Sequence, residues 1–547
     1  MKIIPLIKKH WYLVALITFF IVITSIINIF TPPWAFPDES AHFSYTEFII
    51  EHHTLPSYLT SLDFWEAHQP PLYYSLGVLI KLPIQNLAVS LQLIVLRLFS
   101  TLLAVGTIMV SYLIGKKIFK NKYLILLVPT LVALLPMQIY IASSYNNDNL
   151  ANLLGALLIY FFLIFWREKI SQKNIIWFSV IVTASILTKV GLYPIVAIVF
   201  IFLIYKLIRQ KNWRLLSIII MVPLILSGWW FVRNYFVYGD LFGWSQTEKL
   251  WALQKQDIWQ RDIFIRWWRT TYESFWGIFG GLNIAMQPWV YKILKIIGVL
   301  AFFGNLIFFW QKENSKNIKT KLIWLYGIFG ITLLSVFVYS IKFYQPQGRY
   351  LFIALISAVI FLVVGLGMIT KNKNYRMFVL ILAILFFGNL SFTNTELLRD
   401  YNQKKYKPMT EYEITDKATF AVGEERFKKE GPATITIKDS ENVLLETMFS
   451  NTRADTSKIK QVELEIESYS EIEAKLLYRN LVEKEFMLEN STDFTVKEGV
   501  NTYTLALPDN RGYPNITREF AIYLDGQIGQ FNLNKFKLVF NEEVRSL

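Results

Sequence analysis

Residues 32–74 read PPWAFPDESAHFSYTEFIIEHHTLPSYLTSLDFWEAHQPPLYY, and they follow directly on the apolar run Trp11 to Phe30. About twenty apolar residues form a helix long enough to cross the hydrocarbon core of a bilayer. The loop behind that run gathers Asp38, Glu39, His42, Glu51, His52, His53, Asp63, Glu66 and His68, which include four of the chain's five histidines. A connector between membrane helices needs only polar turn residues. A long one dense in titratable groups beside the lipid surface therefore reads as a chemical site. The expectation is the acidic half of an active site.

Working outward, composition agrees with a membrane protein. The 547 residues are 54% hydrophobic and 16% aromatic, and mean hydropathy is positive, too apolar for a soluble enzyme of this length. The formal charge of +14 is dealt out in short clusters between apolar runs, which points away from nucleic acid and toward membrane orientation. The absence of cysteine excludes disulfides, thiol catalysis and cysteine-ligated metals. The leader MKIIPLIKKH is basic, but no small-residue cleavage site precedes Thr31-Pro32-Pro33, so the first run is expected to remain as a membrane helix.

Apolar runs of membrane length fall near 11–31, 88–115, 123–143, 149–166, 175–189, 191–208, 214–237, 290–310, 321–341, 350–370 and 376–394. They predict about eleven transmembrane helices in a domain covering 1–394. Pro129, Pro136 and Pro223 lie inside such runs, where membrane helices tolerate proline. Basic clusters at Lys8-Lys9, Lys116 to Lys122, Arg167 to Lys173, Lys206 to Arg214, Lys312 to Lys321 and Lys371 to Arg376 land on one side if every run crosses once. By the positive-inside rule that side is cytoplasmic, together with the N-terminus. The loops 32–87, 144–148, 238–289 and 342–349 then open on the opposite face of the plasma membrane. After Asn394 the sequence turns polar, with roughly 20 basic against 25 acidic residues over 401–547. Period-two patterning in ATITIKD, VELEIESYS, AKLLYRN, YTLALPD, EFAIYLDG and KFKLVFN predicts an extracytoplasmic all-β sandwich of about eight strands over 395–547.

Within the first loop, Pro37-Asp38-Glu39 reads as a helix start with proline at the first helical position and acids in the first turn. His42 follows one turn after Asp38, on the same face. The acids suit the helix dipole; they equally suit a general base, Asp38, tuned by Glu39 and His42. Asp38, Glu39, His42 and Asp148 are also the candidate ligands if a divalent cation, Mg²⁺ or Mn²⁺, takes part. On the same face stand Lys189, Arg233 and Arg349, cations placed either to bind an anionic group or to anchor the protein at the interface. Asp148 follows two asparagines and also suits a helix cap. His68 is held extended by the prolines after Gln69. Between 240 and 287, Trp267, Trp268, Trp276 and Phe279 with Arg261, Arg266 and Arg269 form an amphipathic stretch suited to the interface.

Six motifs then carry a resemblance: PDExxHF (Pro37 to Phe43), HQPPLYY (His68 to Tyr74), NND (Asn146 to Asp148), LTK (Leu187 to Lys189), RNYFVYGDLFG (Arg233 to Gly243) and QGRYLF (Gln347 to Phe352). In this order, over roughly residues 10–390, they resemble the C-type fold (GT-C) membrane glycosyltransferases, in particular the bacterial relatives of protein O-mannosyltransferases and of the aminoarabinose transferase that modifies lipid A. The resemblance implies a catalytic acid in the first external loop, Asp38 or Glu39, and a second acidic position at Asp148. It also implies a polyprenyl-phosphate-linked sugar as donor and transfer with inversion. Lys189, Arg233, Arg349 and His68 are then expected to bind the donor phosphate, and Gln69, Tyr73, Trp276 and Tyr350 to line the substrate pocket. The expected activity is hexosyl or pentosyl transfer to a cell-envelope glycan, lipid or protein. The β domain has no counterpart in the resemblance, which leaves the acceptor open. Two other classes stay open: a transporter or flippase for lipid-linked sugars, and a non-catalytic scaffold of envelope-polysaccharide assembly. A transporter predicts charges at mid-membrane and two similar halves.

Overall fold

The computed structural model describes residues 10–31, 33–57, 66–167, 170–245, 256–280, 282 and 284–369, and beyond them 408–413, 418–422, 425–428, 435–437, 443–448, 454–455, 459–480, 491–507, 516–524 and 529–545. The chain divides into two compact units that part after Leu398. The first is helical: α1 Trp11–Phe30, α2 Glu39–His52, α3 Leu72–Lys81, α4 Val89–Ile118, α5 Lys122–Leu134, α6 Pro136–Ala142, α7 Asp148–Arg167, α8 Gln172–Ile186, α9 Tyr193–Arg209, α10 Trp213–Tyr238, α11 Arg261–Gly277, α12 Pro288–Trp310, α13 Lys316–Lys342 and α14 Leu355–Ile369. Among the described residues eight helices are long and apolar enough to cross a membrane, or nine if α5 and α6 count as one broken span. The eleventh expected run, 376–394, lies outside the described residues.

Two of the expected runs differ from simple spans, each for a visible reason. The 123–143 run bends by 59° between α5 and α6. Leu135, pushed out of helical geometry by the proline that follows it, has φ −65° and ψ 120°, and Pro136 starts the new helix at a position where its missing N–H costs nothing. Pro129 and Pro223, by contrast, sit inside continuous helices as expected. The run at 175–189 becomes α8, only 15 residues and about 22 Å long. α7 departs from Asp148 and α8 ends three residues before Lys189, and those two side chains form an ion pair, so the end of α8 lies beside the start of α7. Four helices that start on the lysine-rich side, α5, α8, α10 and α13, are capped there by Asn121, Ser171, Asn212 and Ser315, whose side chains accept backbone N–H groups of the first turn. Polar and small residues tie neighbouring spans. Gly304 and Gly365 let α12 and α14 touch backbone to backbone, and Asn305 donates to Phe361 O at 2.9 Å while accepting from Tyr326.

The second unit is a β-sandwich. One antiparallel sheet runs in the order β11 (Ser491–Val496), β10 (Ile472–Asn480), β13 (Ile516–Leu524), β7 (Val443–Met448), β4 (Ala418–Val422), β5 (Glu425–Lys428), with β8 (Ala454–Asp455) beside β13. The other runs β12 (Gly499–Leu505), β9 (Ile459–Ser468), β14 (Gly529–Arg545), β3 (Pro408–Glu413), with β6 (Ile435–Ile437) beside β14. Alternate residues of β9, Val462, Leu464 and Ile466, meet Leu476, Phe520 and Ile522 of the facing sheet in one apolar core. The strands exceed the expected eight because short pieces such as β5 and β8 are too brief to show alternation. The two-residue strands β1 (Ile278–Phe279) and β2 (Ile284–Ala285) form a separate ribbon in the helical unit.

The first connection is anchored by a buried ion pair. Glu39 is fully buried, and Arg97 of α4 grips both its oxygens, Nε to Oε1 at 2.8 Å and Nη2 to Oε2 at 2.7 Å. Nη1 of the same guanidinium donates to the carbonyls of Asn28 and Thr31, tying the end of α1 to α2 and α4. Removing one partner strands the other charge, which costs about 3–5 kcal/mol. Arg97→Ala is therefore expected to lower the thermal unfolding midpoint in detergent strongly, whereas Arg269→Ala, which breaks an exposed pair with Glu273, shifts stability by less than about 0.5 kcal/mol. Equal midpoints for the two variants would remove the Glu39–Arg97 pair from this role.

Candidate active site at the ends of four spans

Four elements deliver four charges to one place. Asp38 is the residue just before α2, Asp148 the first residue of α7, Lys189 lies between α8 and α9, and Arg349 stands in the 3₁₀ turn Gly348–Ala354 that opens into α14. Arg349 pairs with Asp38 through Nη2 and faces Asp148 Oδ2 through Nη1 at 3.5 Å, while Lys189 pairs with the other oxygen of Asp148. The result is an alternating chain, Asp38–Arg349–Asp148–Lys189, whose formal charges cancel. Such cancellation is what a water-poor site requires of its ionised groups. Asp38 is the most open of the four, with a side chain 22% exposed against 2% for Arg349 and 4% for Asp148.

Local sequence chemistry explains each placement. Proline 37 does not enter the helix as expected; α2 begins at Glu39, and Asp38 caps it in the left-handed region at φ 59° without using its side chain as a cap. A non-glycine residue held there is strained, and its carboxylate is turned out toward Arg349. Asp148 is likewise spared from capping, because Asn146 Oδ1 accepts the Asp148 N–H at 2.9 Å. Lys189 Nζ also donates to Asn147 Oδ1 at 3.0 Å and lies 5.4 Å from the centre of the Tyr350 ring. Arg349 is steadied by Gln347, which accepts from Nε at 2.6 Å. Its neighbour Gly348 lies against α11, where its N–H reaches Ser274 Oγ at 2.8 Å and any Cβ would strike the backbone of Thr271 and Phe275.

The electrostatics divide the acids by state. Burial works against ionisation of Asp38, yet the adjacent Arg349 guanidinium holds its carboxyl below the usual carboxylate range. Glu66, in the same loop, goes the other way: burial, reinforced by the Asp38 carboxylate, pushes it up to about 8. His42 is neutral, because burial depresses it to about 3 against the pull of Asp38. Its Nδ1 shares a hydrogen bond of 2.9 Å with the Tyr74 hydroxyl rather than with Asp38.

The other expected residues distribute as follows. His68 and Gln69 sit at the rim, 3.2 Å apart through their Nε2 atoms, and Gln69 accepts from Asn147 at 3.4 Å. Glu39 is outside the charge chain, since Arg97, the Trp34 N–H and the Tyr145 N–H occupy its oxygens. Arg233 is also outside it: the guanidinium donates to Pro56 O at 2.6 Å and lies over Trp230 and Tyr238. Tyr73 is buried with its hydroxyl on Ser100. Trp276 lines an apolar cavity with Leu131, Leu135, Leu294 and Leu366. Tyr350 donates to Gln345 while its ring flanks both cations. Among the described residues no three acidic or histidine side chains converge as metal ligands. Asp38, Asp148 and Glu39 are each already matched by a cation and His42 by Tyr74, so this arrangement does not fit a divalent ion. Asp63 lies outside the described residues. Sequence reasoning gave no individual role to Arg97, Asn147, Gln347 or Glu66: Glu66 was counted with the titratable loop and Asn147 and Gln347 stand inside two of the six motifs, whereas Arg97, a lone cation inside an apolar run, was passed over.

Comparison with known proteins adds the following. An uncharacterised protein of Aquifex aeolicus is 24% identical over 266 residues, 46% of this chain and 47% of that one. Among solved structures, the Archaeoglobus fulgidus oligosaccharyltransferase tethered to an acceptor peptide matches 72% of this chain and 55% of its own at 12% identity and a TM-score of 0.46. ArnT from Cupriavidus metallidurans bound to undecaprenyl phosphate matches 65% and 60% at 14% identity and a TM-score of 0.41. This chain thus spans about half to three fifths of the length of these proteins. A family described as predicted membrane protein, DUF2142, matches residues 51–359, more than half of the sequence. The chain belongs to that family of predicted membrane proteins, DUF2142.

Proposed function

We propose that the protein is a membrane glycosyltransferase that moves a sugar from a polyprenyl-phosphate carrier to a hydroxyl acceptor on the extracytoplasmic face, with inversion. The observation that carries this reading is the neutral chain Asp38–Arg349–Asp148–Lys189 at the ends of membrane spans; the motif resemblance supplies the reaction. A phosphate leaving group is a weak base and needs positive charge more than a proton. Arg349 offers it directly, since among the described residues its buried Nη1 has no hydrogen-bond partner and meets only the Asp148 carboxylate, at 3.5 Å.

The resting pairing gives the chemistry an order. Asp38 is a poor base while Arg349 holds it. A donor phosphate that enters beside Lys189 competes for the guanidinium, loosens its grip on Asp38 and raises that carboxylate's proton affinity. The acceptor oxygen then attacks the anomeric carbon as the bond to the phosphate oxygen breaks. The bonding pair leaves with the phosphate, and the acceptor proton passes to Asp38. Glu39 serves as the anchor of the loop and Arg233 as a clasp on Pro56.

Assay of the purified protein with a polyprenyl-phosphate sugar tests the activity itself. Asp38→Asn is expected to lower turnover by a factor on the order of 10² to 10⁴ while tightening polyprenyl-phosphate binding, because Arg349 is released; unchanged turnover would end the role of Asp38 as base.

Arg349→Ala is expected to weaken donor binding and slow transfer together. If both parameters stay at wild-type values, the cation for the phosphate lies elsewhere.

The orientation follows from the basic clusters. Protease added to intact cells is expected to remove residues 395–547, and full protection of that segment would reverse the assigned face.

A further inference from the structure

Glu66 is the acid that the reaction outlined above does not use. It lies three residues before Gln69, which fastens it by a backbone hydrogen bond from its N–H to Glu66 O at 2.9 Å, and Gln69 is itself tied to Asn147 and His68. Among the described residues, Glu66 Oε2 is enclosed and has no hydrogen-bond partner, although the Gln69 side chain hydrogen-bonds to the same carboxyl. The groups that act on it come from every side of the site: Asp38 before α2, Lys189 before α9, Arg349 before α14, Gln69 of its own loop, Tyr74 of α3 and Tyr339 of α13. A buried acceptor without a donor is costly, and a second carboxylate facing Asp38 costs more. The bookkeeping of charge points the same way. Asp38 and Asp148 already offset Arg349 and Lys189, so an ionised Glu66 would leave the site negative before any phosphate arrived.

We propose that Glu66 is a neutral hydrogen-bond donor of this site, its carboxylic O–H taking an oxygen of the bound phosphate beside Lys189 and Arg349. The inference rests on the phosphate-lipid reading above and goes beyond it by assigning a ligand contact to a third acid. No bond is made or broken at Glu66. Its proton stays on the carboxyl and is shared with the phosphate oxygen, and losing that proton replaces attraction with repulsion. The site thereby accepts phosphate only while this one acid is uncharged.

The test is binding of a polyprenyl monophosphate to the full chain in detergent micelles between about pH 7 and 9, a range above the second ionisation of phosphate near 6. With Glu66 at about 8, wild-type affinity is expected to fall about tenfold from the bottom to the top of that range. Glu66→Gln keeps a neutral donor of the same shape and is expected to bind at pH 7 within about threefold of wild type, with the alkaline loss removed. A second readout needs no ligand. A glutamate that holds its proton more tightly when folded favours the folded state at low pH, and that contribution is lost as pH rises from the ordinary glutamate range through about 8. The wild-type thermal midpoint should therefore decline over this window, and Glu66→Gln should lack that decline. An alkaline loss that persists in Glu66→Gln, or a variant that folds normally yet fails to bind at pH 7, overturns the assignment and leaves the phosphate-lipid reading standing. Wild-type protein that binds no phosphate lipid at any pH overturns the reading and this inference together. Should Glu66→Gln not fold, a flat wild-type binding profile over the same pH range still refutes the proposal, and a tenfold fall supports it.

Discussion

A guanidinium shared between two carboxylates organises this protein's site. Arg349 is almost wholly buried, so its charge is stable only if anions meet it, and Asp38 and Asp148, far apart in sequence, both do so. That requirement fixes much else. It brings the loop after α1, the start of α7 and the turn before α14 together, and Lys189 then balances the second aspartate. The helical bundle is thus pinned at this face by electrostatics, while apolar packing and close glycine contacts hold the spans along their length.

Two adjacent acids take opposite fates here. Glu39 is satisfied by Arg97 and two backbone N–H groups and holds three segments together. Asp38, one residue earlier, adopts a left-handed backbone, and its carboxylate, the most exposed of the four charged groups, pairs with Arg349. The strain at Asp38 is sustained by the firmness of Glu39, since a loosely held helix start would relax into ordinary geometry. The neighbouring pair separates support from chemistry.

Much of this was legible in the sequence because ionisable residues at the ends of apolar runs have few places to go. Asp38, Asp148, Lys189 and Arg349 each stand at such an end, and alternation of the basic clusters put those ends on a common face. Pairing was not legible. Arg97 lies 58 residues from Glu39, and no local pattern connects them. Arg233 looked equivalent to Arg349 by position, but the carbonyl of Pro56 and two aromatic rings absorb it. The break at Pro136 was present as a proline in an apolar run, and Pro129 and Pro223 read identically; only packing decides which of the three interrupts a helix. The enclosure of the Glu66 Oε2 atom depends on tertiary packing, which composition and spacing do not encode. In the β unit, long alternating strands such as β9 were visible and the two- to four-residue strands were not.

The missing side chain at Gly348 couples two parts of the molecule that differ in their surroundings. Helix α11 exposes Phe264, Ile265 and Trp268 on one flank and through Thr271, Ser274 and Phe275 rests directly on the backbone that carries Arg349. With no side chain between them, the two backbones pack in direct contact, so a Cβ at position 348 would drive the turn that carries Arg349 away from α11, and the place of the guanidinium is tied to the place of that helix.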